Sequence, residues 1–131
     1  MRIGQLATAT GVDVETIRYY EREGLLDAPA RESNGYRAYN DRHRQHLTFI
    51  RHCRSLDVGL SDVHTLLGLL DNPKRSCAEA DELIETQIER IRSRIAALRT
   101  LESELVSLRA RCKSTRSAAT CQILADLAKP T

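Results

Sequence analysis

The stretch Glu79 to Arg111, EADELIETQIERIRSRIAALRTLESELVSLRAR, decides the architecture of this chain. It contains neither Pro nor Gly and consists mostly of strong helix formers. Apolar side chains recur at Ile84, Ile88, Ile91, Ile95, Leu98, Leu105 and Leu108, in steps of four and three down to Leu98. That spacing is the heptad seam of a helix that pairs with another helix. After Leu98 the grid slips, with Glu102 on the strict register and Leu101 beside it, so a local irregularity is expected. A long helix with one apolar stripe cannot cover that stripe alone. It needs a partner.

A cysteine stands at each end of this helix, Cys77 before it and Cys112 after it. At the α-helical rise, the residues between them span roughly 50 Å, so the two thiols of one chain cannot meet. In an antiparallel homodimer, Cys77 of one protomer lies beside Cys112 of its partner, and the two-fold axis makes two equivalent sites. Cys121 follows Cys112 after KSTRSAAT, a turn-prone segment able to fold back on the same point. Three thiols then converge: Cys77, Cys112 and Cys121. A lone cysteine is ordinarily a buried thiol, and that is the expectation for the fourth, Cys53.

The 131 residues are enough for one small domain with a dimerisation arm. No stretch is apolar enough for a membrane span and no signal-peptide core opens the chain, so a cytoplasmic protein with reduced thiols is expected. In that compartment a cysteine cluster reads as metal-binding or redox-active rather than as a structural bridge. The net charge of +2 is too small to identify a nucleic-acid partner. Residues 1–71 hold 9 Arg, no Lys and 10 Asp plus Glu, so any DNA-facing surface must be a local basic patch.

Upstream, IGQLATAT (Ile3 to Thr10) reads as a short amphipathic helix, broken by Gly11-Val12-Asp13. A second helix follows from Val14, with Asp13 as cap and Gly24 as stop. Two short helices across a Gly-containing turn form a helix-turn-helix pattern, whose second helix presents its first residues to the major groove. Here those are Glu15, Thr16, Arg18, Tyr19 and Tyr20, with Ile17 turned inward. Arg18 reaches a guanine edge or a phosphate, and tyrosine hydroxyls donate to phosphate oxygens. The next segment, LLDAPARESNGYRAYN, carries the turn signal Ser33-Asn34-Gly35 between two short strand candidates. Arg31, Tyr36, Arg37 and Tyr39 make it a basic, phenolic wing, with packing of Tyr36 or Tyr39 within the hairpin as the other reading. A helix from Asp41 to Leu56, capped by Asn40 or Asp41, is expected to bury Leu47, Ile50 and Cys53 and to expose His43, His46 and His52. Another, from Leu60 or Ser61, buries Val63, Leu66, Leu67 and Leu70. The expected division is a DNA-binding domain over residues 1–71, a linker at 72–78, the dimerisation helix at 79–111, and a metal-binding loop with a short helix at 112–131.

In the order IGQLA, VETIRYYEREGLL, NGYRAYN, LTFIRHCRSLDVGLSDV, a linker cysteine, a long helix and a C-x8-C loop, the chain resembles the MerR family of transcription regulators, and within it the cadmium/lead-responsive branch. The resemblance covers essentially the whole chain. It implies a mainly α fold, with a winged helix-turn-helix domain and a long C-terminal helix forming an antiparallel coiled coil. It also implies a homodimer on double-stranded promoter DNA with an over-long spacer. Metal binding would distort and underwind that DNA so that RNA polymerase can use it. The DNA contacts so implied are Thr16, Arg18, Tyr19, Tyr20, Tyr36, Arg37 and Tyr39. The metal ligands so implied are Cys77 of one protomer with Cys112 and Cys121 of the other. A serine in place of Cys77 accompanies monovalent copper-group sensing in the family, so cysteine points to a divalent ion. Three thiolates without histidine suit Cd(II) or Pb(II), with Hg(II) and Zn(II) as further inducers. Relatives often carry histidine where this chain has Gln87, so a second, histidine-containing site is not expected. Two other readings use fewer of these features: a thiol redox sensor built on Cys112 and Cys121, and a metal-storage or carrier protein. No nucleophile–base arrangement or cofactor motif appears, so an enzyme is not expected.

Overall fold

A computed structural model describes residues 1–112 and 117–130. The chain divides into two compact units, Met1–Ile84 and Glu85–Thr131. The element order is α1 (Ile3–Thr10), α2 (Val14–Arg22), β1 (Ala30–Arg31), β2 (Arg37–Ala38), α3 (Asp41–Ser55), α4 (Leu60–Leu70), α5 (Ala78–Ala110), a 3-10 turn (Ala118–Thr120) and α6 (Gln122–Leu127).

The turn between α1 and α2 is built on Gly11, whose φ of 73° is left-handed. Its N–H bonds the Ala7 carbonyl at 2.9 Å and closes α1. Asp13 caps α2, its carboxylate accepting from the Thr16 backbone N–H at 2.8 Å. Past Arg22 the chain turns through Gly24, also at positive φ, and buries Leu25 and Leu26.

The hairpin is short and antiparallel, pairing Ala30 with Ala38 and Arg31 with Arg37. Its tip uses Gly35 at φ 86°, and the Asn34 side chain accepts from the Tyr36 backbone N–H. Beyond β2, the Tyr39 backbone N–H bonds the Met1 carbonyl at 2.7 Å, which ties the start of α1 to the base of the hairpin.

Asn40 caps α3 by accepting from the His43 N–H at 3.1 Å. Here the structure departs from expectation: His43 and His46 are buried, each only 6% exposed. The reason is register, since 43, 46, 47, 50 and 53 fall on one helical stripe. Their polar atoms stay satisfied, with His43 Nε2 3.1 Å from the Asp27 carbonyl and His46 Nε2 2.9 Å from Asp71 Oδ1. Cys53 shares the stripe and is buried. Along α4, Val63, Leu66 and Leu67 are buried while Leu70 remains exposed, and Leu69 meets the core instead.

The core of the first unit centres on Leu6, Ile17, Leu47, Ile50, Val58 and Val63, all essentially inaccessible. Ala80 and Leu83, in the first turns of α5, pack against it. Farther along α5 the apolar seam is bare: Ile88, Ile91, Ile95, Leu98, Leu101 and Leu105 are between 36% and 65% exposed. No described helix is long and apolar enough to cross a membrane.

Candidate DNA-facing surface and thiol pair

The recognition helix α2 divides cleanly by face. Ile17 and Tyr20, three residues apart, point into the core and dock the helix. Arg18 and Tyr19 are exposed and Thr16 is half-buried. Arg18 makes a long contact to Glu15, 3.6 Å, with both side chains largely in solvent; it can turn to a base edge or a phosphate.

On the wing, Tyr36 is 56% exposed and lies under the Arg2 guanidinium, 3.8 Å from its ring centroid. Arg37 is exposed and pairs with Glu21 Oε2 at 3.1 Å. Tyr39 is placed differently, 2% exposed, with its hydroxyl donating to Glu21 Oε1. Burial, then that carboxylate, pushes the Tyr39 phenol up to about 12. One carboxylate on α2 therefore receives both Arg37 and Tyr39 and joins the recognition helix to the wing. No local signal in the sequence marks Glu21, because its partners lie 16 and 18 positions away. Of the seven residues expected at DNA, Thr16, Arg18, Tyr19, Tyr36 and Arg37 reach the surface, whereas Tyr20 and Tyr39 lie in the core beneath it.

All four cysteines are thiols. Burial raises the Cys53 thiol above its ordinary value, which keeps it protonated and unreactive. Cys77 is exposed just ahead of α5, where its carbonyl accepts the Asp81 N–H. In the second unit Cys112 and Cys121 are neighbours. The backbone N–H groups of Leu124 and then Ile123, together with the Cys112 side chain, hold the Cys121 thiol below the usual cysteine value against a smaller opposing effect of burial. Residues 113–116 of the intervening loop lie outside the described residues. Two adjacent thiols, one already acidified, fit a soft metal ion, which binds cysteine as thiolate. Within a single chain no three His, Cys, Asp or Glu side chains among the described residues come together as a metal cage.

Residues 1–70 match the family described as MerR HTH family regulatory protein, and residues 44–108 match a second family, MerR, DNA binding. The chain belongs to the MerR family. Among solved structures it resembles the transcription regulator PbrR691 from Ralstonia metallidurans CH34 in complex with lead(II), at TM-score 0.89 and 43% identity over 98% of this chain and 99% of that one. It also resembles the MerR regulator of Bacillus megaterium MB1 in complex with mercury(II), at TM-score 0.77 and 35% identity, covering 98% and 100%. The ZntR homologue of Haemophilus influenzae, a transcriptional regulator, is 43% identical over 83% of this chain and 81% of its own length. Like these MerR-family relatives, the chain pairs a helix-turn-helix domain with a long helix.

Proposed function

We propose that this MerR-family protein is a metal-responsive transcription regulator of the cadmium/lead-responsive branch. It binds double-stranded promoter DNA as a homodimer, through the winged helix-turn-helix of residues 1–71. Thr16, Arg18, Tyr19, Tyr36 and Arg37 face the DNA, and Tyr20 and Tyr39 hold those elements in place from beneath. The bare seam of α5 is covered by a second copy running antiparallel. Cys77 of one protomer joins Cys112 and Cys121 of its partner, so that each dimer holds two ions. Cd(II) or Pb(II) is the inducer, with Hg(II) and Zn(II) as further candidates. Metal resets the two heads and distorts the promoter so that RNA polymerase can use it.

The observation that carries this reading is the adjacency of Cys112 and Cys121, one acidified by its surroundings, in a chain 43% identical to a lead-bound regulator. An anaerobic titration of the reduced dimer with Cd(II), Pb(II), Hg(II) and Zn(II), followed by thiolate-to-metal absorption, tests it. Two ions per dimer are expected, tightest for Cd(II) or Pb(II) and weakened in Cys77→Ser. Binding indifferent to Cys77 overturns the shared site.

A further inference from the structure

Asp126 lies on α6, outside the thiol set, yet its side chain is only 8% exposed and is gripped from three directions. Arg111 Nη1 pairs with Oδ2 at 3.0 Å. Gln122 Nε2 donates to Oδ1 at 2.8 Å, and Lys129 Nζ lies 3.3 Å from the same oxygen. Two of these partners have a telling place in the chain. Arg111 immediately precedes Cys112, and Gln122 immediately follows Cys121. One carboxylate thus bonds the sequence neighbour of each thiol. Arg111 is itself anchored, its Nε reaching the Ser107 carbonyl in the last turns of α5 at 3.4 Å.

We propose that Asp126 is a positioning residue, a latch that ties Arg111, ahead of Cys112, to the helix that follows Cys121 and so holds the two sulfurs side by side before any metal arrives. Closing a loop costs chain entropy, and a bond that ties the ends together meets that cost in advance. The ion pair does so from α6, so the thiols need no contact with Asp126 themselves. Preorganised donors bind an ion more tightly than donors that must be gathered. The consequence for metal affinity rests on the ligand assignment proposed above; the latch itself does not.

The test measures the proximity of the thiols without metal. The full-length protein is equilibrated anaerobically with reduced and oxidised glutathione, and the Cys112–Cys121 disulfide is quantified by peptide mapping, which gives the effective concentration of one thiol at the other. Asp126→Ala is expected to lower it about two- to fivefold, the worth of one ion pair whose arginine is half in solvent. Arg111→Ala is expected to lower it too, and the double variant to lose little beyond Asp126→Ala alone. An unchanged value in Asp126→Ala, or fully additive losses, overturns the latch. Amide exchange over α6 separates loosening from unfolding: faster exchange there, with α1 to α4 still protected, supports the latch, whereas loss of protection throughout overturns a local role. In parallel, Cd(II) titration of Asp126→Ala reads the ligand assignment. A lower effective concentration with unaltered Cd(II) affinity supports the latch and overturns Cys112 and Cys121 as shared ligands.

Discussion

Tyr39 and Glu21 show how a side chain selected for its chemistry can be assigned by its neighbours. In the wing sequence Tyr39 has the makings of a phosphate contact. Folded, its ring packs edge-on against His43, with centroids 5.2 Å apart, and its hydroxyl is spent on Glu21. Tyr39→Phe is therefore expected to cost about 1 kcal/mol of stability, read as a lower denaturant midpoint at unchanged slope, because a carboxylate loses one of its donors. The alkaline limb checks the same bond. Because the fold holds the phenol above its ordinary 10, at about 12, it contributes stability that is whole below pH 10 and lost as pH climbs toward 12. Tyr39→Phe should flatten that decline. At the thiols, Cys77→Ser, Cys112→Ser and Cys121→Ser are each expected to abolish the transcriptional response to metal while DNA binding, followed by gel shift, persists. Full activation by metal in any one of them would remove that residue from the site.

At the scale of elements, the helix-turn-helix rests on two local devices. Gly11 adopts a left-handed conformation, and a Cβ there would stand 3.0 Å from Arg51 Nη1, the group that caps α1 by donating to the Thr10 carbonyl. Gly11→Ala should cost roughly 1–2 kcal/mol from backbone strain alone, measurable by chemical denaturation. Asp13 is the second device. The Thr16 backbone N–H, then the Thr16 side chain, hold its carboxyl below the ordinary 3.8. That stability is present above pH 3.8 and fades as pH falls below it. Asp13→Ala should lower the thermal midpoint at neutral pH and shrink the difference from the parent in acid. Both devices were legible in the sequence because caps and left-handed turns are set by a few adjacent residues. The burial of His43 and His46 was less so. Histidine suits either face, and only the stripe shared with Leu47, Ile50 and Cys53 pointed inward.

For the whole molecule, the seam of α5 is the main prediction. Ile88, Ile91 and Ile95 stand between 36% and 43% exposed on a single chain, a contiguous apolar stripe of the kind that marks an interface. Replacing Ile88 and Ile95 together with Glu should yield a monomer by sedimentation and weaken operator binding steeply, since each half-site then binds alone. A dimer that survives the double substitution would remove α5 as the pairing surface. The division into 1–84 and 85–131 follows from where α5 finds apolar partners. Ala80 and Leu83 pack on the first unit's core.

Periodicity, caps and cysteine spacing, all written in neighbouring residues, were enough to reach a helical fold, a helix-turn-helix with a hairpin and a long pairing helix. They also mark Cys77, Cys112 and Cys121 as the candidate metal ligands proposed above, because helix rise follows from residue count. Tertiary packing decided the rest. It buried Tyr20 and Tyr39 beneath the residues they resemble, gave Glu21 two partners from the wing, turned His43 and His46 inward, and set Asp126 between the flanks of two thiols. Apart from the helical stripe that the two histidines share, these could not be read locally, because Glu21 meets the wing and Asp126 meets Arg111 only across many positions of chain.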